Sequence, residues 1–443
     1  MYLRNLVERL RQSLWFIPSI GSVAAGIVAL VMVGLSALLE DAGIHLPLVF
    51  EAGADGARAM LQAIAGSVIT VAGVVFSITI VALQLTSTQF SPRVLRNFLR
   101  DRPTQFVLAV FMGTFVYALL VLRTIHTGTN GDSFFVPNVA VTGALVLGFA
   151  SLGMLIFYIH HISVRIQVGS ILAAVTAETF ETIDDIGEEL REPEREATNG
   201  APAAADGPPR EVKEADFTRP LRVRARSSGY VRIVALKGLF ETASENDIVV
   251  RCLVAPGDWV QAGAPLLDVA EVDELPDGIA ERLVSQVTVG SQRTMQQDVA
   301  FGVQQLVDIA VKALSPGIND PTTAIQCLDR LTQVLVAVGE RRDPPNLLRD
   351  EEGMVRVVLR FPGFDELTHE AFRQVRQYAA HTPVVLRYMA RSLRTLELAL
   401  PAARRDAVVA EARLIARAAE QIPLAEDRSE VLAALRGLVP TAE

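Results

Sequence analysis

Lysine and cysteine are nearly missing from this chain of 443 residues. Only Lys213, Lys237 and Lys312 are lysines among 41 basic residues, so arginine carries almost all of the positive charge. The number of arginines is therefore weak evidence for anion binding. The two cysteines, Cys252 and Cys327, are too few for a disulfide framework or a zinc ribbon, and they suit a reduced cytosolic side. A net charge of −9 argues against nucleic acid as a partner. Motifs of catalysis are absent as well. There is no Walker loop, GxSxG, HRD set or CxxC, and the stretch HEAFRQVRQY (His369 to Tyr378) contains no HExxH. The expectation is a protein that is not an enzyme and uses no cofactor and no metal.

Long apolar runs fill the space the charges leave. Half of the residues are hydrophobic, and the first third of the chain is almost free of acids and bases. Four stretches are long enough for a bilayer core, which needs roughly 20 residues. They lie at about 15–39, 60–85, 103–122 and 134–159. The first continues to Leu38-Leu39 and meets Glu40-Asp41 with no small-residue cleavage site, so it reads as an uncleaved helix. Arg4, Arg9 and Arg11 precede the first span, and Arg93, Arg96, Arg100 and Arg102 follow the second. The other loops hold only Arg58 and Arg123, beside Glu40, Asp41, Glu51, Asp55 and Asp132. By the positive-inside rule both termini are cytosolic.

The second span carries an ordered pattern. Gly66, Thr70, Gly73, Ser77, Ile80, Gln84 and Ser87 recur at alternating spacings of four and three, which puts them on one helical stripe. All but Ile80 are small or hydrogen-bonding. Such a stripe serves either of two ends. It lets helices pack closely, or it lines a wet path when identical subunits form a ring. The opposite face offers Ile69, Val75, Phe76 and Leu83 to lipid or neighbours. Next comes FSPRVLRNFLRDRP, where Ser91 and Pro92 suit a helix start and Arg93, Arg96 and Arg100 share one face. This reads as an interfacial helix against lipid phosphates or as an electropositive inner mouth. His160 and His161 close the fourth span, either as a pair that titrates near neutral pH or as plain interfacial side chains.

The remainder divides into a helical extension at 162–190, a flexible linker rich in proline, alanine and charge at 191–216, a small β module at 217–275 and a mainly helical domain at 276–443 with a strand near 354–362. Short alternating runs, LRVRA, YVRIVAL and DIVVRCLV, build the β module. Its stretch VVRCLVAPGDWVQAGAPLLDV resembles biotinyl/lipoyl-like barrel-sandwich modules through Pro256-Gly257-Asp258, Val260, Gly263 and Pro265-Leu266. The carrier lysine motif is missing, so a structural barrel is expected rather than a swinging arm. The region from Gly278 to Glu340 is helical by its period. Within it Ser315-Pro316-Gly317 stops one helix, and Asn319 or Asp320 caps the next. Asp298, Asp308, Asn319 and Asp320 are either caps and buried polar pairs or a cytosolic ligand or gate site.

Two of these stretches carry a family resemblance. They are FSITIVALQLTSTQFSPRVLRNFLRD and DxxFGxxQLVDIAxxALSPGINDPTTA. With the four spans, they make the chain similar, over essentially its whole length, to a bacterial inner-membrane family catalogued as domain of unknown function, number twenty-two fifty-four. The resemblance implies an integral membrane protein and no settled activity. The expected fold is therefore an integral membrane α-helical domain followed by a cytosolic α+β region. The expected function is a homo-oligomeric channel-like protein with lipids, and ions along its path, as its other partners. The alternative is a membrane-anchored sensor or scaffold that conducts nothing.

Overall fold

The computed structural model describes residues 15–42, 53–89, 93, 101–126, 135–199, 217, 219–270, 274–341, 346–350 and 352–439. Two compact units divide between Ile171 and Leu172.

The first unit is a bundle of α1 (Phe16–Asp41), α2 (Ala54–Gln89), α3 (Arg102–Arg123) and α4 (Asn138–Arg165). Each is long and apolar enough to cross a membrane. Helix α2 starts earlier and ends later than the span at 60–85. Its 36 residues, at about 1.5 Å per residue, exceed a hydrocarbon core of roughly 30 Å. Helix α4 starts after Pro137, whose ring fits a helix entry better than an interior. Residue 134, where the fourth span was expected to begin, lies outside the described residues with 127–133. So does the expected interfacial helix, apart from Arg93.

Helix α3 packs against all three others. Asp101 caps it and Pro103 occupies its first turn. A Cβ added to Gly21 would sit 2.8 Å from the Ala109 Cβ, so α1 and α3 cross with their backbones close. Hydroxyls join the helices elsewhere. The Thr79 and Tyr158 hydroxyls lie 2.7 Å apart between α2 and α4. Thr114 meets Ser151 at 3.1 Å, and the Tyr117 hydroxyl donates to the Ala140 carbonyl at 2.9 Å.

The expected extension at 162–190 is not one continuation of the fourth span. Helix α4 ends at Arg165, and α5 (Val168–Asn199) starts anew after Ile166-Gln167. It also runs past residue 190 into the segment read as a linker, because alanine, glutamate and arginine are strong helix formers despite Pro193. The rest of that linker, 200–216, lies outside the described residues.

The second unit contains β1 (Leu221–Arg224), β2 (Gly229–Val234), α6 (Leu236–Glu245), β3 (Val250–Cys252), β4 (Trp259–Val260), β5 (Pro265–Val269), α7 (Ile279–Ser285) and β6 (Val287–Gly290). There follow α8 (Val299–Ala313), α9 (Pro321–Gly339), β7 (Leu347–Arg349), β8 (Val355–Val358), α10 (Phe364–Tyr378), α11 (Pro383–Ala399), α12 (Arg405–Ala419) and α13 (Ala425–Ala434). One sheet has the order β1-β5-β3-β8-β7 and the other β4-β2-β6. The module therefore does not stop at residue 275. It takes β6 onto β2, and β8 pairs parallel to β3. Residues 278–340 are accordingly not helical throughout. A strand as short as VTVG carries too few residues for its period to show against flanking helices. The strand read at 354–362 keeps only Val355–Val358. Lys237 lies in α6, away from any hairpin tip.

The sheets and their helices share one apolar core. Leu266, Leu267 and Val269 of β5 meet Leu236 and Leu239 of α6, Val357 of β8, and Ile186 and Leu190 of α5. Helices α8 to α13 pack as a bundle in which α8 touches α9 and α10, and α11 touches α9, α12 and α13.

Candidate functional site

Helix α2 has two faces built on the same alternating spacing. Ala57, Leu61, Ala65, Val68, Ala72, Val75, Thr79, Ala82 and Thr86 are buried against the bundle. Gly66, Thr70, Gly73, Ser77, Ile80 and Gln84 are exposed, and Ser87 is half-buried. At roughly 100° per residue the two stripes lie about 150° apart. The polar stripe therefore points away from the bundle formed by its own chain. Exposed apolar side chains border it, Val74, Ile78, Val81 and Leu85 on one side and Ile69 and Phe76 on the other. Val75, on the face expected to meet lipid or neighbours, is fully buried against the bundle, whereas Ile69 and Phe76 stay exposed.

The hydroxyls on the two faces behave differently. Thr79 reaches Tyr158 on α4. Thr70 donates only to the Gly66 carbonyl one turn back, at 2.8 Å. Among the described residues, Ser77 and Gln84 make no side-chain hydrogen bond to another helix. A Cβ at Gly66 or Gly73 would meet nothing within 4 Å. Among the described residues, packing within one chain therefore does not account for this stripe.

A second cluster sits at the start of α3. Asp101 is the only acid between Asp55 and Asp132, and it is buried. Its carboxylate accepts from the Thr104 hydroxyl at 2.6 Å and from Arg165 at 3.1 Å. The His161 Nε2 lies 2.8 Å from it. His161 is thus more than an interfacial side chain, because with Arg165 it ties the ends of α3 and α4 together. The spacing of four between His161 and Arg165, facing a lone acid, is the signal that could have revealed it. Arg93 is described and exposed, whereas Arg96 and Arg100 lie outside the described residues.

In the second unit the four singled-out polar residues do not form one site. Asp298 caps α8 by accepting from the Phe301 N–H at 2.9 Å and is gripped by Arg293 at 2.6 and 3.0 Å. The turn at Gly257, with φ +97, presses on this pair so closely that a Cβ would lie 2.3 Å from Asp298. Burial raises the Asp298 carboxyl, and Arg293 pulls it the other way. Nearby Glu370 on α10 is also raised, by burial first and then, against the pull of Arg293, by Asp298, Asp308 and Glu366. Asp308 accepts from Gln304 at 2.7 Å. Asp320 stands at the start of the next helix and caps α9, with the Thr323 hydroxyl at 2.6 Å holding its carboxyl below the usual range. Asn319 occupies the left-handed region at φ +49, which asparagine tolerates. Among the described residues no three His, Cys, Asp or Glu side chains could hold a metal together.

Known proteins bear on this architecture. A family model described as "Predicted membrane protein (DUF2254)" matches residues 11–395. Uncharacterized proteins of Mycobacterium bovis and Mycobacterium tuberculosis are each 33% identical over 442 residues, covering 97% of this chain and 81% of theirs. No solved structure matches. Four helices fit to span a membrane, followed by a region of helices and small sheets, agree with that description, and the chain belongs to this family of predicted membrane proteins, whose function is unknown.

Proposed function

We propose that the protein assembles from identical subunits in the bacterial inner membrane, with both termini cytosolic, and that α2 repeated around an axis lines a polar path. The second unit then forms a vestibule or gate below it, and the protein catalyses no reaction. One observation carries this reading. The stripe of Gly66, Thr70, Gly73, Ser77 and Gln84 faces outward from its own bundle, with apolar borders on both sides. An amide such as Gln84 is costly against lipid and gains by facing protein or water. The borders offer the apolar surface on which a neighbouring copy packs, which leaves the stripe between them for the axis.

The test is cysteine substitution at Thr70, Ser77 and Gln84 in purified protein in liposomes, followed by a charged thiol reagent. The two native cysteines are buried, and burial pushes the Cys252 thiol up to about 12 and raises that of Cys327 as well, so the unsubstituted protein is a quiet control. Flux that the reagent alters at these sites supports the path. Absence of flux, or flux indifferent to all three sites, removes it and leaves the membrane-anchored sensor or scaffold.

A further inference from the structure

Only two tryptophans occur in this chain, Trp15 and Trp259. Trp259 belongs to the β module, away from the apolar helices, and is 56% exposed. It stands in β4, an edge strand of the three-stranded sheet. The pairing of β4 with β2 sets Tyr230 opposite Trp259. Their rings meet edge to face with centroids 4.9 Å apart, a favoured aromatic geometry. The indole is therefore held outward by a defined contact rather than left loose at the surface.

The two loops beside it contain no acid. Residues 224–228 read Arg-Ala-Arg-Ser-Ser, and residues 259–263 read Trp-Val-Gln-Ala-Gly. They lie side by side. The Ala262 N–H donates to the Ser228 hydroxyl at 2.9 Å, the Gly263 N–H to the Ala225 carbonyl at 2.8 Å, and Arg224 to the Gly263 carbonyl at 2.8 Å. Arg224 and Arg226 are exposed, and so are Ser227, Ser228 and residues 261–263. Asp258 precedes the tryptophan but turns its carboxylate back to accept from the Ala255 N–H at 2.9 Å. A chain of net charge −9 thus presents one end where two guanidinium groups and an indole stand together among small polar residues. That combination matches an anionic bilayer surface. Tryptophan and tyrosine settle at headgroup level, arginine pairs with lipid phosphates, and small residues between them let a broad surface approach. The same chain carries four helices fit to span a membrane, which keeps a bilayer at high effective concentration for this module.

We propose that this end of the β module docks on an anionic bilayer surface, with Trp259 at headgroup level and Arg224 and Arg226 against lipid phosphates. The proposal needs no path through the membrane and stands even if α2 lines none. In the full-length Trp15→Phe protein Trp259 is the sole tryptophan. That protein is reconstituted in liposomes of phosphatidylcholine alone or of an equal mixture with phosphatidylglycerol. In the anionic liposomes the Trp259 emission should move to the blue, and lipids spin-labelled near the headgroup should quench it. Both effects should fade in neutral liposomes and at high salt. Arg226→Gln should shift the equilibrium about fivefold toward the undocked state, whereas Arg373→Gln on the exposed side of α10 should leave it unchanged. Arg226 makes no hydrogen bond or ion pair among the described residues, so this variant keeps its fold even if Arg224→Gln, which gives up the bond to the Gly263 carbonyl, does not. Absence of quenching in anionic liposomes, quenching equal in neutral ones, or equal behaviour of Arg226→Gln and Arg373→Gln overturns the proposal. So does a blue shift without quenching, which places Trp259 against a second copy of the protein instead.

Discussion

Several polar groups that face inward in this protein meet partners on other segments, and among the described residues those on the outer stripe of α2 meet none on another helix. Inside the bundle Thr79 meets Tyr158, and Asp101 meets His161 and Arg165. Inside the second unit Asp298 meets Arg293. On the outer face Thr70 bonds only to its own helix. Burial explains the difference. A polar group moved out of water costs free energy unless it is hydrogen-bonded, which favours matched groups in the interior. Among the described residues, the outer stripe makes no such match with another helix.

Substitutions can break this contrast, and the largest effect is expected at Asp298. Asp298→Ala strips a cap and takes away the carboxylate that grips Arg293, which should cost about 3 kcal/mol. Asp298→Asn should cost less, since asparagine still caps. Urea unfolding followed by Trp259 fluorescence in a Trp15→Phe background reads the second unit selectively, because Trp15 and Trp259 are the only tryptophans. If Asp298→Ala leaves the midpoint unmoved, that pair contributes nothing.

The next effect tests the two faces of α2 directly. Thr79→Val should lower bundle stability by about 1 kcal/mol, the scale of a hydrogen bond between membrane helices. Thr70→Val should change it by less than the error of the measurement. Equal losses from both, in denaturation of the purified protein in detergent, would erase the distinction.

Asp320→Ala should cost about 1 kcal/mol through the lost cap of α9. Its carboxyl is held low in the folded state. That contribution is therefore present above the unfolded value near ~3.9 and disappears as pH falls through the folded value. A pH series in which the variant and its parent converge at strongly acidic pH is the expected result.

Glu370 should give the smallest effect, with the opposite sign. Its folded carboxyl is raised by burial among acids, so its share of stability is full below the unfolded value near ~4.3 and is lost as pH rises through the folded one. Glu370→Gln should consequently stabilise the second unit slightly at neutral pH and make no difference at low pH. Stabilisation at every pH would place the cause in packing instead.

Much of the architecture could be read along the chain because the signals are local. A run of residues without charge marks a span, a spacing of four and three marks one side of a helix, and an aspartate three residues before a bonded N–H marks a cap. The spans, the α2 stripe, Pro103 and the caps at Asp298 and Asp320 all rest on such signals. The boundary of the β module was not readable. It depends on β3 pairing with β8, whose partners Val250 and Val357 are far apart in the chain. Arg293 was likewise overlooked, since only folding sets the Gly257 turn and α10 against its pair with Asp298.

Composition and period alone thus determined that this is a multi-pass membrane protein with a large helical and stranded region, and that α2 bears an ordered polar stripe. Tertiary structure decided which side of α2 the bundle takes, and it gathered His161 and Arg165 around Asp101. The physical reason is one of range. Helix period and capping act over a few residues, whereas the choice of buried face and the pairing of buried charge depend on which distant segments pack alongside.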